Sequence, residues 1–198
     1  MRIIILMLAL ISFIEAQDLS FLIGMRSSKY GSIGVEYKDI GFIIENSIFI
    51  DDVNNQYIRT KAYHNFLITN WIHLTYTLFY GSRYNHDYFD YGGILETHIK
   101  STGKTIQAKG TFLPFYDSNL GHKYSYSASL IFLPFSEVGI IGGIRNIPEY
   151  RIPEKRVFSG LVFDLPHLWL QPEISTPLRR NAKSVTRLTF NFIYKSTP

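Results

Sequence analysis

Residues 184–195, with the sequence SVTRLTFNFIYK, alternate in polarity close to the C-terminus of the chain. Successive side chains of a β-strand face opposite sides, so this segment has one apolar, aromatic face and one mostly polar face. The apolar face consists of Leu188, Phe190, Phe192 and Tyr194. The other face consists of Arg187, Thr189, Asn191 and Ile193. This pattern is typical of the strand that closes a β-barrel.

Similar alternating runs follow one another from Asp18 onward, and no helical period interrupts them. Their lengths lie near the roughly 9 to 11 residues that a tilted strand needs to cross a bilayer, above the globular mode of about 5 to 6. They predict an all-β fold of about 12 strands, with about 10 as the alternative count. The predicted strands are 18–26, 30–37, 40–50, 56–67, 71–82, 89–99, 104–114, 122–133, 137–145, 155–163, 168–175 and 184–195.

The predicted connections differ between the two ends of these strands. On one side they are all short, at 38–39, 68–70, 100–103, 134–136 and 164–167. On the other side they lengthen from the third onward and carry charge, Pro and Asn, at 27–29, 51–55, 83–88, 115–121, 146–154 and 176–183. Short inner turns with longer outer loops favour a closed antiparallel up-and-down transmembrane barrel, closed by pairing of 184–195 with 18–26.

The first 16 residues, MRIIILMLALISFIEA, predict a cleaved signal peptide, because an early cation precedes an apolar run and a small residue. Residues 17–198 are then one barrel domain. No cysteine is present, so disulfides, thiolate metal sites and a lipoprotein anchor are excluded. The formal charge of +4 comes from scattered basic residues, which argues against nucleic acid as a partner.

The alternation also assigns charged side chains to the barrel interior. An open lumen with such residues would be a pore that sorts small solutes by charge, whereas opposed charges that pair across it would plug it. The limited width of a small barrel favours the plug. The lumen-facing candidates are Glu36, Glu45, His73, Glu96, His98, Lys100, Lys109, Glu173 and Arg187, with Arg59 and Lys61 on the same face.

Neither a metal site nor a cofactor is predicted, because no HExxH or similar ligand spacing occurs. Ser82, His86 and Asp87 are worth naming because outer-membrane hydrolases and acyltransferases use Ser and His on the barrel wall. Neither a nucleophile elbow nor an oxyanion loop accompanies them, so we predict no catalytic residue.

Two basic groups fall in the predicted outer loops. They suit an anionic outer leaflet or a docking protein, although clustered surface cations are usually only solvated. The groups are Arg151, Lys155 and Arg156, and Arg179, Arg180 and Lys183.

In strand length, alternation, turn asymmetry and aromatic last strand, the chain resembles small bacterial outer-membrane β-barrel proteins. One departure is that Ser196, Thr197 and Pro198 follow Tyr194 and Lys195, whereas many such barrels end on the aromatic residue. The resemblance implies export to the outer membrane of a Gram-negative envelope. It implies three kinds of partner: the barrel-insertion machinery, outer-membrane lipids and other envelope proteins.

Polar interior residues without a catalytic constellation predict a non-enzymatic barrel. Its role would be that of a narrow, porin-like channel or of a structural or accessory subunit of an envelope complex. The alternatives are a secreted soluble β-barrel that binds an apolar ligand and a lipid-modifying outer-membrane hydrolase or acyltransferase.

Overall fold

The computed structural model describes residues 19–26, 30–47, 56–83, 87–103, 105–135, 137–147, 154–178 and 186–196. The predicted signal peptide lies outside these residues. The described chain forms β1 (Leu19–Arg26), β2 (Tyr30–Tyr37), β3 (Ile40–Ser47), β4 (Tyr57–Thr69), β5 (Ile72–Arg83), β6 (Phe89–Lys100), β7 (Ile106–Asp117), β8 (Gly121–Phe132), β9 (Val138–Ile147), β10 (Glu154–Asp164), β11 (Leu168–Pro177) and β12 (Arg187–Lys195). No helix among the described residues is long and apolar enough to cross a membrane.

The strands form one closed barrel in which each pairs with its neighbours in sequence and β12 pairs with β1. The closing pair is antiparallel and places Ile23 opposite Tyr194. The seam continues past β12, because Phe21 N–H donates to Ser196 Oγ at 2.8 Å and Ser196 N–H donates to Phe21 O at 3.0 Å. The prediction of a closed antiparallel barrel of 12 strands is therefore confirmed.

The two faces of the barrel differ in polarity, as the alternation along each strand requires. The outer face carries apolar side chains in contact with the surroundings, for example Leu188, 72% exposed, and Leu130, 64% exposed. The inner face buries charged side chains, such as Asp90, 3% exposed, and Glu173, 2% exposed. Charge inside and apolar surface outside is the reverse of a water-soluble barrel.

The two ends of the barrel also differ. At the turn end, connections such as Lys38–Asp39 are tight, and Lys38 adopts a φ of 54°. At the loop end lie the longer connections, those from β3 to β4, β9 to β10 and β11 to β12.

One loop-end connection is shorter than the sequence predicts, because β7 continues to Asp117 and β8 begins at Gly121. Phe115 and Tyr116 continue the alternation of β7, and Asp117 Oδ1 then accepts from the backbone N–H groups of residues 119 and 120 at 2.9 and 3.0 Å. A carboxylate that caps its own turn in this way stabilises a tight connection.

Candidate functional site in the barrel interior

The interior contains a loop-side chamber near the loop end and a turn-side chamber near the turn end. The loop-side chamber has a volume of about 510 Å³ and the turn-side chamber about 430 Å³. Twelve strands about 4.8 Å apart and tilted by about 40° enclose a backbone ring roughly 24 Å across. Side chains must therefore fill much of the lumen, and their arrangement decides what can pass.

On one side of the interior, charged groups pair along the wall. Arg59 Nη2 lies 2.7 Å from Asp90 Oδ2, and Arg59 Nε donates to Tyr57 Oη at 2.6 Å. The Tyr57 hydroxyl in turn donates to Asp90 Oδ1 at 2.6 Å. These three residues with Arg26, Glu45 and Lys61 form what we call the charged wall.

Glu45 is the second anion of the charged wall and forms salt bridges with two cations. Its Oε1 accepts from Lys61 Nζ at 2.5 Å and from Arg26 Nε at 3.3 Å, and its own side chain is only 5% exposed. Because the partners lie on β1, β3 and β4, one carboxylate joins three strands from inside the barrel. Charge-assisted hydrogen bonds of this kind are about twice as strong as neutral ones.

The charged wall leads into an aromatic row at the loop-side chamber. The rings of Tyr30, Tyr57 and Tyr88 meet edge to face, with centroids 6.0 Å apart in the first pair and 6.2 Å apart in the second. Arg26 stacks on Tyr30 at 4.5 Å and Arg83 stacks on Tyr88 at 4.9 Å. Burial, with the nearby carboxylates, raises the pKa of the Tyr88 phenol above its usual range.

Gly81 makes space for this arrangement on β5. A Cβ atom at Gly81 would lie 2.2 Å from both Asp90 Oδ1 and Tyr57 Oη. Any larger residue would push these two atoms out of their hydrogen bond. Glycine is therefore required here for close approach of side chains and not for an unusual φ.

The turn-side chamber has a mixed lining of hydroxyl, amide, charged and aromatic groups. Glu173 is its central carboxylate and accepts from Arg145 Nη2 at 2.5 Å, Gln171 Nε2 at 2.7 Å and Thr189 Oγ1 at 2.8 Å. His98 Nε2 lies 2.6 Å from Gln107 Oε1. The chamber is also lined by Thr75, Thr111, Ser127, Ser129 and Asn191.

Apolar side chains fill the opposite side of the interior. What we call the apolar cluster consists of Ile131, Leu133, Ile141, Phe158 and Val162, with Trp169 packed against it. The cluster belongs to β8, β9 and β10 and to the residue that follows β8. It is the part of the lumen that packs like a protein core.

The lumen-facing residues predicted from the sequence divide between these regions. Glu45 lies in the charged wall, and Glu36 at the turn end accepts from Tyr63 Oη and from Lys195 Nζ. His73, Glu96, His98, Lys109 and Glu173 line the turn-side chamber. Lys100 is the last residue of β6, and Arg187 pairs with Ser175, whose side chain is buried inside.

The prediction that Arg156 is an exposed loop cation is wrong. β10 begins at Glu154, which places Arg156 inside the barrel, where it is 0% exposed and bonds to Glu154 and Ser175. Lys155 also belongs to this strand and not to a loop, with its side chain on the opposite face. Both errors have one cause, since these two residues fall within the predicted strand 155–163 but were grouped with the loop that precedes it. Arg151, Arg179, Arg180 and Lys183 lie outside the described residues.

The structure describes two of the three chemical candidates, Ser82 and Asp87. Ser82 belongs to β5 and shares the outer face with Tyr80, whereas Asp87 precedes β6. His86 lies outside the described residues. Within the described part of the chain, no group of three or more His, Asp or Glu side chains could hold a metal ion.

The sequence reasoning did not single out Tyr57, Asp90, Arg145 or Trp169. The period of two already places Asp90 on the face of Glu96 and His98, so that residue could have been found. Trp169 could not, because its role depends on contact with a strand far from it in sequence.

The sequence matches no protein-family model and no curated protein. Among solved structures, the KdgM porin in complex with disordered oligogalacturonate is similar, with a TM-score of 0.61, 10% identity and coverage of 89% of this chain and 97% of that chain. The NanC porin has a TM-score of 0.53 and 9% identity, covering 91% of this chain and 99% of that one. LpxR from Salmonella typhimurium follows with a TM-score of 0.44, 7% identity and coverage of 89% and 98%. The chain thus has the same fold as the KdgM and NanC porins.

Proposed function

We propose that this protein is an outer-membrane barrel that serves as a narrow passive channel for small hydrophilic solutes. The observation that carries the proposal is the pairing of an apolar outer face with a charged interior that contains two chambers. A passive channel needs both properties, since its outside must dissolve in lipid and its inside must hold water.

The outer face supports placement in a membrane. Large apolar side chains are exposed on strands all around the barrel, such as Phe21 on β1, Leu78 on β5 and Ile140 on β9. Soluble monomers rarely expose contiguous apolar patches larger than a few hundred Å². The outer face therefore argues against the secreted soluble barrel.

The interior supports a channel more than a complete plug. Salt bridges run along the wall between strands close together in the barrel, such as Arg59 on β4 with Asp90 on β6 and Arg145 on β9 with Glu173 on β11. Charges paired along the wall line a passage, whereas charges paired across the lumen would block it. The apolar cluster narrows the passage from one side.

The proposed role does not involve catalysis. The inward histidines His73 and His98 pack against each other with ring centroids 6.3 Å apart, and His98 bonds to Gln107. In the described part of the chain, neither has a hydrogen bond to a serine. Unchanged lipid A and phospholipid profiles after deletion of the gene are expected, and a specific lipid change would support the enzyme instead.

Recordings from the mature barrel in planar lipid bilayers test the channel. We expect small, reproducible conductance steps from protein whose folding is verified by heat-modifiable migration in detergent gels. Fractionation should place the protein with the outer membrane. Recovery from the soluble periplasm would overturn the membrane location.

The apolar cluster favours a second candidate, a structural or accessory subunit of an envelope complex, because it fills part of the lumen as a core would. Silence from verified, folded barrels in bilayers would remove the channel and leave this candidate. Co-purification of a defined envelope protein would then support it.

A further inference from the structure

Lys109 and Trp169 make a contact that spans part of the lumen. Lys109 Nζ lies 4.8 Å from the ring centroid of Trp169, although Lys109 belongs to β7 and Trp169 to β11. Three strands lie between β7 and β11 along the wall, so these two strands are not neighbours on a ring roughly 24 Å across. The contact between the two side chains therefore crosses part of the ring, and we call it the chord. The two side chains meet in the lumen.

The apolar cluster fills the space behind this chord. Its members come from the intervening strands, and Trp169 packs directly on it. Lys109 and Trp169 both line the turn-side chamber, together with residues of the intervening strands such as Ser129 and Phe158. The Lys109 ammonium borders the constricted part of the passage.

Lys109 contacts an aromatic ring, whereas most cations of the interior contact a carboxylate. Those cations lie within salt-bridge distance of a carboxylate, namely Arg26, Arg59, Lys61, Arg145, Arg156 and Lys195. Lys109 Nζ has no salt bridge or hydrogen bond among the described residues and contacts the face of Trp169. A ring face attracts the cation without cancelling its charge.

We propose that Lys109, held in place by Trp169, determines the charge selectivity of the channel and favours anions. This inference rests on the proposed function. The carboxylates of Glu96 and Asp164 attract this ammonium from beyond salt-bridge distance. Because no carboxylate contacts it, the ammonium beside a narrow passage with low-dielectric walls lowers the energy of a passing anion and raises that of a cation. Trp169 acts as a positioning residue, because the apolar cluster fixes its ring and the ring fixes the ammonium.

Reversal potentials measured in bilayers across a KCl gradient test the proposal. The wild-type channel should prefer chloride over potassium. Lys109→Gln should lower the permeability ratio of chloride to potassium by about three- to tenfold, and Lys109→Glu should invert the preference. Lys109→Arg should keep the preference, since it retains the charge. Lys155→Gln is the matched control, because it removes a lysine whose side chain lies on the outer face of β10 and should leave the ratio unchanged.

Two Trp169 variants test the positioning role. Trp169→Ala should lower the chloride preference and raise the conductance, whereas Trp169→Phe keeps a ring face and should largely restore the preference. If Lys109→Gln does not fold, Lys109→Met provides the neutral variant. A conducting neutral variant with an unchanged reversal potential overturns this inference alone, while a silent, folded wild-type protein overturns the channel and the inference with it.

Discussion

The charged wall and the apolar cluster fill the same barrel interior by different physical means. In the charged wall, Glu45 is shared by Arg26 and Lys61, and each of these polar groups has a named partner. In the apolar cluster, Ile131 and Val162 are each 1% exposed and exclude water as a protein core does. The difference teaches that a membrane barrel need not have a uniformly polar lumen, because one part can supply stability while another contacts the solute.

A phenylalanine in each region allows a matched test of this difference. Phe158 in the apolar cluster is 8% exposed, and the guanidinium of Arg145 lies 4.0 Å from the centre of its ring. Phe79 beside the charged wall is 5% exposed, and the guanidinium of Arg59 lies 4.4 Å from the centre of its ring. Phe158→Ala should lower the free energy of unfolding by about 3 to 5 kcal/mol, because the side chains of the apolar cluster form most of the wall of the resulting cavity.

Phe79→Ala should cost roughly half as much, since water can hydrate a cavity beside Arg59 and Lys61. Urea unfolding in lipid vesicles, followed by tryptophan fluorescence, measures both losses. Equal losses for the two variants would show that the charged wall is packed as tightly as the cluster, and the distinction between the two regions would fail.

Glu45→Gln tests whether the charged wall depends on shared charge. The substitution keeps the shape of the side chain but leaves Arg26 and Lys61 without their anion, so the free energy of unfolding should fall by about 2 to 3 kcal/mol. The loss should be smaller than that of Phe158→Ala, because the adjoining chamber gives the cations access to water.

Lys61→Met in the Glu45→Gln background should recover part of this loss, because it removes a cation whose side chain is only 13% exposed. Unfolding of the two single variants and the double variant completes a double-mutant cycle. A double variant no more stable than Glu45→Gln alone would mean that Lys61 is adequately solvated without its partner.

The sequence was sufficient for the barrel and for the facing of its strands. Alternation in a segment such as 184–195 is a local property, so it predicts which face Leu188 and Arg187 occupy and that β12 closes on β1. The error at Arg156 arose at a strand end, where a cation of the predicted strand was grouped with the basic residues of the preceding loop.

The internal division of the lumen could not be predicted. A periodicity of two shows only which residues share a face and does not distinguish among them. It therefore cannot show that Lys109 contacts Trp169, which belongs to a strand distant along the wall. Nor can it show that Ile131 and Phe158 gather on one side while Glu45 and Asp90 lie on another. These contacts depend on barrel curvature and register, which only the folded chain determines.

Gly81→Ala should give the smallest of these effects and tests the geometry of the charged wall without removing any charge. The new Cβ would lie 2.2 Å from Asp90 Oδ1 and Tyr57 Oη and 2.6 Å from Tyr57 Cζ, so the buried ring must move. Overpacking of this kind should lower the free energy of unfolding by about 1 to 2 kcal/mol. Gly93→Ala is the matched control, because its nearest neighbour is Tyr76 at 3.5 Å, an ordinary contact distance.

The outcome separates two origins of order in the charged wall. If Gly81→Ala is clearly less stable than Gly93→Ala under the same urea unfolding, the hydrogen bond of Tyr57 to Asp90 depends on the space that glycine leaves. If the two variants are equally stable, Tyr57 and Asp90 can separate without loss. The ion pair of Arg59 with Asp90 and the hydrogen bond from Arg59 to Tyr57 would then maintain the wall. Such a wall would be more adaptable than the apolar cluster and could exchange its partners with a passing ion.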